Sequence, residues 1–145
     1  MYCTLYRLPE VWRECKRISV ADLKSSYSTL GVKFDHFHGE SMYSGGQGQE
    51  VLRLLEEARL LEDTEDGRRV VDGSKGDQVT VVKSDGSSLY ISRDIAAAID
   101  RVEQFRCQRL YYVVDNSQES HFKNLFHILD RLGQSSSSSF HHVRY

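Results

Sequence analysis

The sequence predicts an α/β protein, and three patterns in its 145 residues lead to that prediction. Apolar residues recur at helical spacing through the first third of the chain. Short β-branched runs alternate with Asp-Gly turns between residues 66 and 92. An apolar run, LYYVVD (110–115), precedes a second helical pattern and the run FHHVRY (140–145). We expect these last three segments to form a β-α-β unit.

The composition allows a globular core and gives no broad positive field. Hydrophobic residues make up 39% and charged residues 28% of the chain, with a formal charge of -2 and a pI near 6.3. This balance argues only weakly against an RNA partner, because a catalytic core can touch RNA through other parts. The odd number of cysteines (Cys3, Cys15 and Cys107) is a poor disulfide framework and favours a reducing compartment.

The sequence shows no pattern typical of a membrane-spanning segment or of a targeting signal. No stretch is long and apolar enough to span a bilayer, so we expect no membrane partner. The first residues, MYCTLYRLPEVW, lack the basic start and apolar block of a secretory signal and the character of a transit peptide. This N-terminal segment resembles sequence from within a folded protein.

Helical signals dominate the N-terminal third. Pro9 suits a first helical turn, and Ser19 with Asp22 resembles a capping box that would open a second apolar stripe. Gly31 is a typical helix stop. A polar, Gly-rich connection follows at 32–50. The next helical stripe consists of Val51, Leu54, Leu55 and Ala58.

A small antiparallel β element and a helix come next. The turns Asp66-Gly67 and Asp85-Gly86 separate the short runs RVV, QVTVV and LYI, each of which we expect to be a strand. Ser92 can then cap a helix that begins at Arg93. Its expected buried face consists of Ile95, Ile99 and Val102.

The β-α-β unit is expected to begin with one buried strand at 110–115. Ser117 can cap the following helix, Glu119 and Lys123 form a favourable pair, and Gly133 can end it. So few strands would leave sheet faces and edges uncovered. The low-complexity segment 134–140 is expected to be a flexible surface loop. Ligands bind at the carboxyl ends of parallel strands, which marks Asp115, Asn116, Ser117, Gln118 and His121 as a candidate ligand edge.

Two small groups of residues carry candidate binding chemistry. Asp94 is either an ordinary carboxylate near a helix start or a clamp for a guanidinium or ammonium group. Tyr90 is either a strand aromatic or a wall of the same pocket. Gln118 can fix a substrate amino or carboxylate group or satisfy local backbone, and His121 can line the site or simply pack.

Other candidate motifs lack the residues or the spacing that a zinc site, a phosphate loop or a catalytic serine motif requires. HFH (36–38) has no third ligand at a zinc-site distance, and GGQGQE (45–50) lacks the Gly-Lys-Ser/Thr of a phosphate loop. No G-x-S-x-G elbow is present.

Several longer motifs, taken in order, carry a family resemblance. KSDGSSLYISRDIAAAIDR (83–101) and LYYVVDNSQESHFKNLFHILDRLG (110–133) closely resemble the catalytic domain of arginyl-tRNA synthetases, a class I family. LGVKFDHFHGESMY, VVDGSKGD and the final FHHVRY are similar to that family's sequence in the same order. The resemblance implies a partial Rossmann-like class I synthetase catalytic domain. It divides the chain into a mostly helical insertion region (1–65), a small β element (66–92) and a second-half Rossmann β-α-β segment (93–145).

The resemblance also implies the roles of individual residues. Asp94 would hold the guanidinium of arginine, with Tyr90 packing and hydrogen-bonding beside it. Gln118 would bind the α-amino end and His121 would line the pocket, whereas Arg93 would brace structure by pairing with a carboxylate or carbonyl. A buried ion pair with Asp94 would discriminate against lysine. The ammonium group of lysine cannot donate the two parallel hydrogen bonds that a planar guanidinium donates to a carboxylate. The implied substrates are arginine, ATP with Mg²⁺, and tRNA(Arg) bound through regions outside this chain.

The chain also departs from the family pattern. It contains neither the His-Ile-Gly-His-type motif nor the Lys-Met-Ser-Lys-type loop that act on ATP phosphates in class I enzymes. The expected function is that of an arginine–tRNA ligase in which this segment recognises arginine, and we expect the 145 residues alone to be inactive. The alternative is a non-catalytic binding or interaction module derived from a synthetase. The sequence of residues 79–101 resembles that of mitochondrial members of the family most. The expected location is therefore the mitochondrial matrix, with the cytoplasm as the alternative.

Overall fold

The computed structural model describes residues 8–43, 46–134 and 139–145. They form two compact units, up to His38 and from Gly39 onward. The helices are α1 (Leu8–Thr29), α2 (Gly46–Glu57), α3 (Tyr90–Phe105) and α4 (Glu119–Arg131). The strands are β1 (Glu62–Asp63), β2 (Arg69–Asp72), β3 (Gln78–Val82), β4 (Arg109–Val114) and β5 (Ser139–Arg144). No helix in these ranges is long and apolar enough to cross a membrane.

The first unit is built on α1, a single helix of 22 residues. Pro9 lies in its first turn, and Gly31 follows its end with φ +70°, both as predicted. The predicted restart at Ser19 is wrong, because the helix continues through Ser19 without interruption. Serine in a helix interior costs too little to break a helix without a proline or glycine beside it. No residue of α1 is buried.

The second unit begins with a 3₁₀ turn (Glu40–Tyr43) and α2, which starts inside the predicted polar connection. Val51 and Leu55 of α2 are buried, whereas Ala58 lies beyond the end of the helix and is exposed, so its predicted place on the helical stripe is wrong. Strands β1, β2 and β3 form an antiparallel sheet in that order. Strands β2 and β3 match the predicted runs RVV and QVTVV, whereas β1 was not predicted. Gly67 and Gly86 both have φ +80°, which confirms the two Asp-Gly turns.

The start of α3 differs from the prediction. The run Leu89–Ile91 is not a strand, because α3 already begins at Tyr90. Ser92 does not cap the helix: it is fully buried, and its Oγ donates to the carbonyl of Leu89 at 2.7 Å. Ile91 and Ile95 are both buried one turn apart, so core packing extends the helical period toward the N-terminus.

Strands β4 and β5 are parallel and α4 connects them, which confirms the β-α-β unit. The prediction of a fully buried strand is wrong: Tyr111 and Val113 of β4 are 57% and 62% exposed on one face. An uncovered face was expected for so small a sheet. Gly133 follows α4 with φ +77°, and Lys123 Nζ lies 2.8 Å from Glu119 Oε1, both as predicted. The predicted flexible loop at 134–140 lies largely outside the described residues.

The core of the second unit joins α2, α3 and α4 to strands of both sheets. Its largest fully buried side chains are Leu55, Ile95, Leu125, Ile128 and Leu129. Residues on both sides of the α3–α4 contact are thereby fixed.

Candidate functional site

Tyr90 and Asp94 lie one turn apart on α3 and therefore share a helix face. Tyr90 is the first residue of the helix and is 54% exposed. Asp94 lies in the second turn, and the first turn contains no acidic residue. Because the helix dipole acts mainly on the first turn, it gives little reason for the carboxylate at Asp94.

His121 brings α4 to this face of α3. Its Nε2 lies 2.8 Å from Asp94 Oδ2. The imidazole is 5.0 Å from the ring of Tyr90 and 5.3 Å from the ring of Phe122, centroid to centroid. Only 13% of the His121 side chain is exposed, against 42% for Asp94. The imidazole of His121 is thus held in place, whereas the carboxylate of Asp94 remains partly exposed to solvent.

Gln118 lies at the start of α4, three residues before His121, and is exposed. Its backbone N–H donates to the carbonyl of Asp115 at 3.0 Å, and its side chain makes no capping bond. In the described part of the chain, no hydrogen bond joins the Gln118 side chain to the other three predicted residues. The structure thus brings the side chains of Tyr90, Asp94 and His121 together. The fourth predicted residue, Gln118, is near His121 in sequence.

The loop before α4 is organised by Asp115. Its Oδ1 accepts from the backbone N–H of Ser117 at 2.8 Å and caps a 3₁₀ turn, Asn116–Gln118. Hydrogen bonds from Ser117 hold the pKa of Asp115 below its ordinary value. The predicted cap at Ser117 is therefore wrong, because the N–H of Ser117 donates to Asp115, two residues earlier. The N–H of Asn116 also donates to the carbonyl of Tyr145 at 3.3 Å, at the edge where β4 and β5 end.

The 3₁₀ turn Glu40–Tyr43 braces α3. Arg93 Nη1 lies 2.7 Å from Glu40 Oε1, which confirms the prediction that Arg93 pairs with a nearby carboxylate. The hydroxyl of Tyr43 donates to Asp100 Oδ2 at 2.9 Å, and burial together with Asp100 raises the pKa of Tyr43. Two contacts, almost two turns apart, therefore fix the helix that carries Asp94.

A cleft of about 300 Å³ lies beside the cluster, between β3, the start of α3, and α4. Its lining residues are Val79, Thr80, Leu89, Tyr90, Ile91, Ser120, His121 and Asn124. Asp94 is not among them. Asn124 was missed by the sequence analysis, although it lies one turn after Ser120 on α4. Its Oδ1 accepts from both the N–H and the hydroxyl of Ser74 at 2.9 Å, which ties the β2–β3 turn to α4.

The arrangement can bind a planar cation. A carboxylate can accept two parallel hydrogen bonds from a guanidinium, and His121 restricts how the carboxylate of Asp94 turns. The expectation of a buried ion pair needs correction, because the Asp94 side chain is 42% exposed. Solvent screening lowers the energy of such a pair. Among the described residues, no group of three or more His, Cys, Asp or Glu side chains could hold a metal ion.

The comparisons with known proteins agree on one family. The model "tRNA synthetases class I (R), catalytic domain" matches residues 6–145. An arginine–tRNA ligase of Encephalitozoon cuniculi is 39% identical over 135 residues, which are 93% of this chain and 23% of that protein. A probable mitochondrial arginine–tRNA ligase of Bos taurus is 40% identical over 139 residues, 93% of this chain and 24% of that protein.

Solved structures give the same result. The arginyl-tRNA synthetase of Plasmodium falciparum superposes with a TM-score of 0.82 at 28% identity, covering 94% of this chain and 24% of its own. A putative arginyl-tRNA synthetase of Campylobacter jejuni, at 16% identity and TM-score 0.81, shows the shared fold. The chain spans about a quarter of the length of the curated relatives it matches. These relatives include mitochondrial, cytoplasmic and bacterial proteins. The chain belongs to the class I arginyl-tRNA synthetase family, and residues 6–145 correspond to catalytic domain.

Proposed function

We propose that this chain supplies arginine recognition to an arginine–tRNA ligase, through Tyr90, Asp94, Gln118 and His121. The observation that carries the proposal is the 2.8 Å contact between Asp94 Oδ2 and His121 Nε2, with Tyr90 against the imidazole. It places a half-exposed carboxylate, an imidazole and a phenol at one point where α3 meets α4.

Asp94 and His121 divide the work in this proposal. Asp94 accepts hydrogen bonds from the guanidinium of arginine, whose planar fork matches a carboxylate. His121 is a positioning residue that holds one carboxylate oxygen in a fixed direction. A preset carboxylate loses less side-chain entropy when the ligand binds.

Tyr90 and Gln118 complete the proposed site. The exposed ring of Tyr90 packs against the arginine side chain and its hydroxyl adds a hydrogen bond. The exposed amide of Gln118, at the start of α4, binds the α-amino end. Together these groups would fix both ends of the amino acid, which is what positioning for reaction requires.

In the proposed reaction the arginine carboxylate attacks the α-phosphate of ATP and pyrophosphate leaves. The 2′-oxygen of the terminal tRNA adenosine then attacks the arginyl carbonyl of the resulting arginyl-adenylate, the ester bond forms, and AMP leaves. ATP enters with Mg²⁺, but the described residues contain no metal-holding cluster, so we assign no metal ligand to this chain. Its own contribution is to hold arginine.

Arginine binding to the purified chain tests the proposal by titration calorimetry. We expect Asp94→Asn to weaken binding by about 10- to 100-fold, since a hydrogen bond to a charged group contributes about 1.5–3 kcal/mol. The matched control is Asp130→Asn, an exposed aspartate of α4, which should bind like the parent chain. Citrulline, a neutral analogue of arginine, should bind the parent chain as weakly as arginine binds Asp94→Asn.

Equal arginine affinity in the parent chain and in Asp94→Asn would refute the guanidinium clamp. Absence of any arginine binding would favour the alternative, a synthetase-derived interaction module without catalytic function.

We further propose that the protein works in the mitochondrial matrix, with the cytoplasm as the alternative. Relatives of Bos taurus and Homo sapiens that are named mitochondrial support the proposal, at 40% and 39% identity. Fractionation of the source cells, probed with an antibody against this chain, tests it. Signal only in the cytosolic fraction would contradict the matrix location.

A further inference from the structure

The turn between β2 and β3 (73–77) has one tightly defined shape. The N–H of Gly73 donates to the carbonyl of Asp77 at 2.6 Å, and the N–H of Gly76 donates to the carbonyl of Gly73 at 3.1 Å. Gly73 is buried, and a Cβ atom there would lie 2.5 Å from Asp77 Oδ1 and 3.0 Å from its backbone oxygen. Only glycine fits without displacing Asp77, so the turn holds the backbone N–H of Ser74 in a fixed direction.

Asn124 of α4 binds this turn. Its Oδ1 accepts hydrogen bonds from both the N–H and the hydroxyl of Ser74, each at 2.9 Å. Only one orientation of the carboxamide allows this, because its NH₂ group cannot accept from a backbone N–H. About two turns later on α4, Arg131 Nη1 lies 3.0 Å from Asp72 Oδ2. The end of the β2–β3 hairpin is therefore attached to α4 at two points.

Burial does not hold this end of the hairpin. Residues 74–78 are exposed, whereas Leu125 and Leu129 fix α4 in the core. Loss of the Asn124 side chain would therefore release the turn and leave α4 in place. The exposed ion pair at Asp72 contributes little, so we expect the two hydrogen bonds to Asn124 to dominate the attachment.

The hairpin and α4 form facing walls of the cleft beside the candidate arginine site. Strand β3, which follows the turn, supplies Val79 and Thr80, and α4 supplies residues that include His121 and Asn124. Asn124 lies one turn after His121, whose Nε2 contacts Asp94. A released turn would open the cleft to water, and water weakens the charge contacts of the adjacent carboxylate.

We propose that Asn124 is a positioning residue for arginine binding: it holds the β2–β3 turn against α4 and so keeps the β3 wall of the cleft beside Tyr90 and His121. The inference rests on the proposed function, because it adds a residue to the same site. Asn124 acts through the cleft wall and not by contact with arginine. A Tyr90 ring that is already confined by this wall loses less freedom when the ligand binds.

Three variants of the full chain test the role of Asn124 by titration calorimetry with arginine. Asn124→Ala removes the acceptor for Ser74. Asn124→Asp keeps an oxygen that can accept from both donors, so it tests rescue. Lys123→Ala is the matched control: it changes a neighbouring residue of α4 and makes the net charge more negative by one, as Asn124→Asp does. Amide hydrogen exchange at Ser74 reports whether the turn stays attached.

We expect Asn124→Ala to weaken arginine binding about three- to tenfold and to remove protection of the Ser74 N–H. Asn124→Asp should restore the affinity to within about twofold of the parent chain, and Lys123→Ala should bind like the parent. Urea unfolding verifies that each variant is folded. A purely structural role would lower stability without changing the affinity of the folded chain. Parent-like affinity in Asn124→Ala, or no recovery in Asn124→Asp, would overturn the inference.

Comparison with Asp94→Asn separates this inference from the proposed function. If Asp94→Asn weakens arginine binding and Asn124→Ala does not, the positioning role is refuted and the guanidinium clamp is supported. If only Asn124→Ala weakens binding, the clamp is refuted and the positioning role is supported. A parent chain that does not bind arginine would refute both.

Discussion

Helices α1 and α3 are both amphipathic in sequence, yet the structure uses them differently. Helix α3 buries seven residues, among them Ile91, Ile95 and Val102, between its neighbours in the second unit. Helix α1 is longer and buries none. Leu8, Val11, Trp12 and Ile18 of α1 are each more than 45% exposed.

The difference shows that periodicity predicts a helix but not what covers it. The apolar face of α3 meets α2, α4 and β3, so its polar residues are held at defined positions. Most side chains of α1 are exposed and none is buried, so neighbours in the first unit do not hold them at defined positions. The candidate arginine site belongs to the first kind of helix.

The largest expected difference between the two helices is in core truncation. Ile95 is fully buried and Ile18 is 46% exposed. Ile95→Ala should lower the free energy of unfolding by about 2–5 kcal/mol, through lost transfer energy and a cavity. Ile18→Ala should change it by less than about 0.5 kcal/mol. Urea unfolding, monitored by circular dichroism, measures the free energy of unfolding of both variants. Equal losses would contradict the difference in packing between α1 and α3.

A smaller effect is expected at the brace of α3. Tyr43 is 4% exposed and donates to Asp100, so Tyr43→Phe should cost about 1 kcal/mol at neutral pH. In the first unit, Tyr27 is half-buried rather than buried, and Tyr27→Phe should cost less than about 0.5 kcal/mol. Similar losses in both variants would show that the hydroxyl of Tyr43 does not hold α3.

The same brace predicts a pH dependence. Burial and Asp100 raise the pKa of Tyr43 above its ordinary value of 10.0. A raised pKa in the folded state stabilises the fold below about pH 10, and that stability is lost as the pH rises through the folded-state pKa. Stability measured from pH 8 to 11 should therefore fall more steeply in the parent chain than in Tyr43→Phe. Parallel pH curves would contradict this linkage.

Local chemistry made much of the fold predictable. Gly31, Gly67, Gly86 and Gly133 all adopt positive φ at the predicted turns and helix ends, because glycine alone adopts that conformation without steric cost. The β-branched runs at β2 and β3 became strands for an equally local reason.

The errors lie where tertiary packing overrides local preference. Leu89–Ile91 has the composition of a strand, but burial of Ile91 with Ile95 extends α3 back to Tyr90. Ser92 has the composition of a cap, but it lies inside the helix with its hydroxyl bonded to Leu89. Such outcomes depend on neighbours far away in sequence.

The candidate site was identified through resemblance rather than through periodicity. Asp94 and His121 are 27 residues apart, and no spacing rule predicts that their side chains meet. The half-exposed state of Asp94 was also not predictable, because it depends on how α4 packs on α3.

A crystal structure of this chain with bound arginine would test the account most directly. We predict two guanidinium nitrogens about 2.7–2.9 Å from the carboxylate oxygens of Asp94, with the ring of Tyr90 against the arginine side chain. Arginine bound with its guanidinium away from Asp94 would contradict the account.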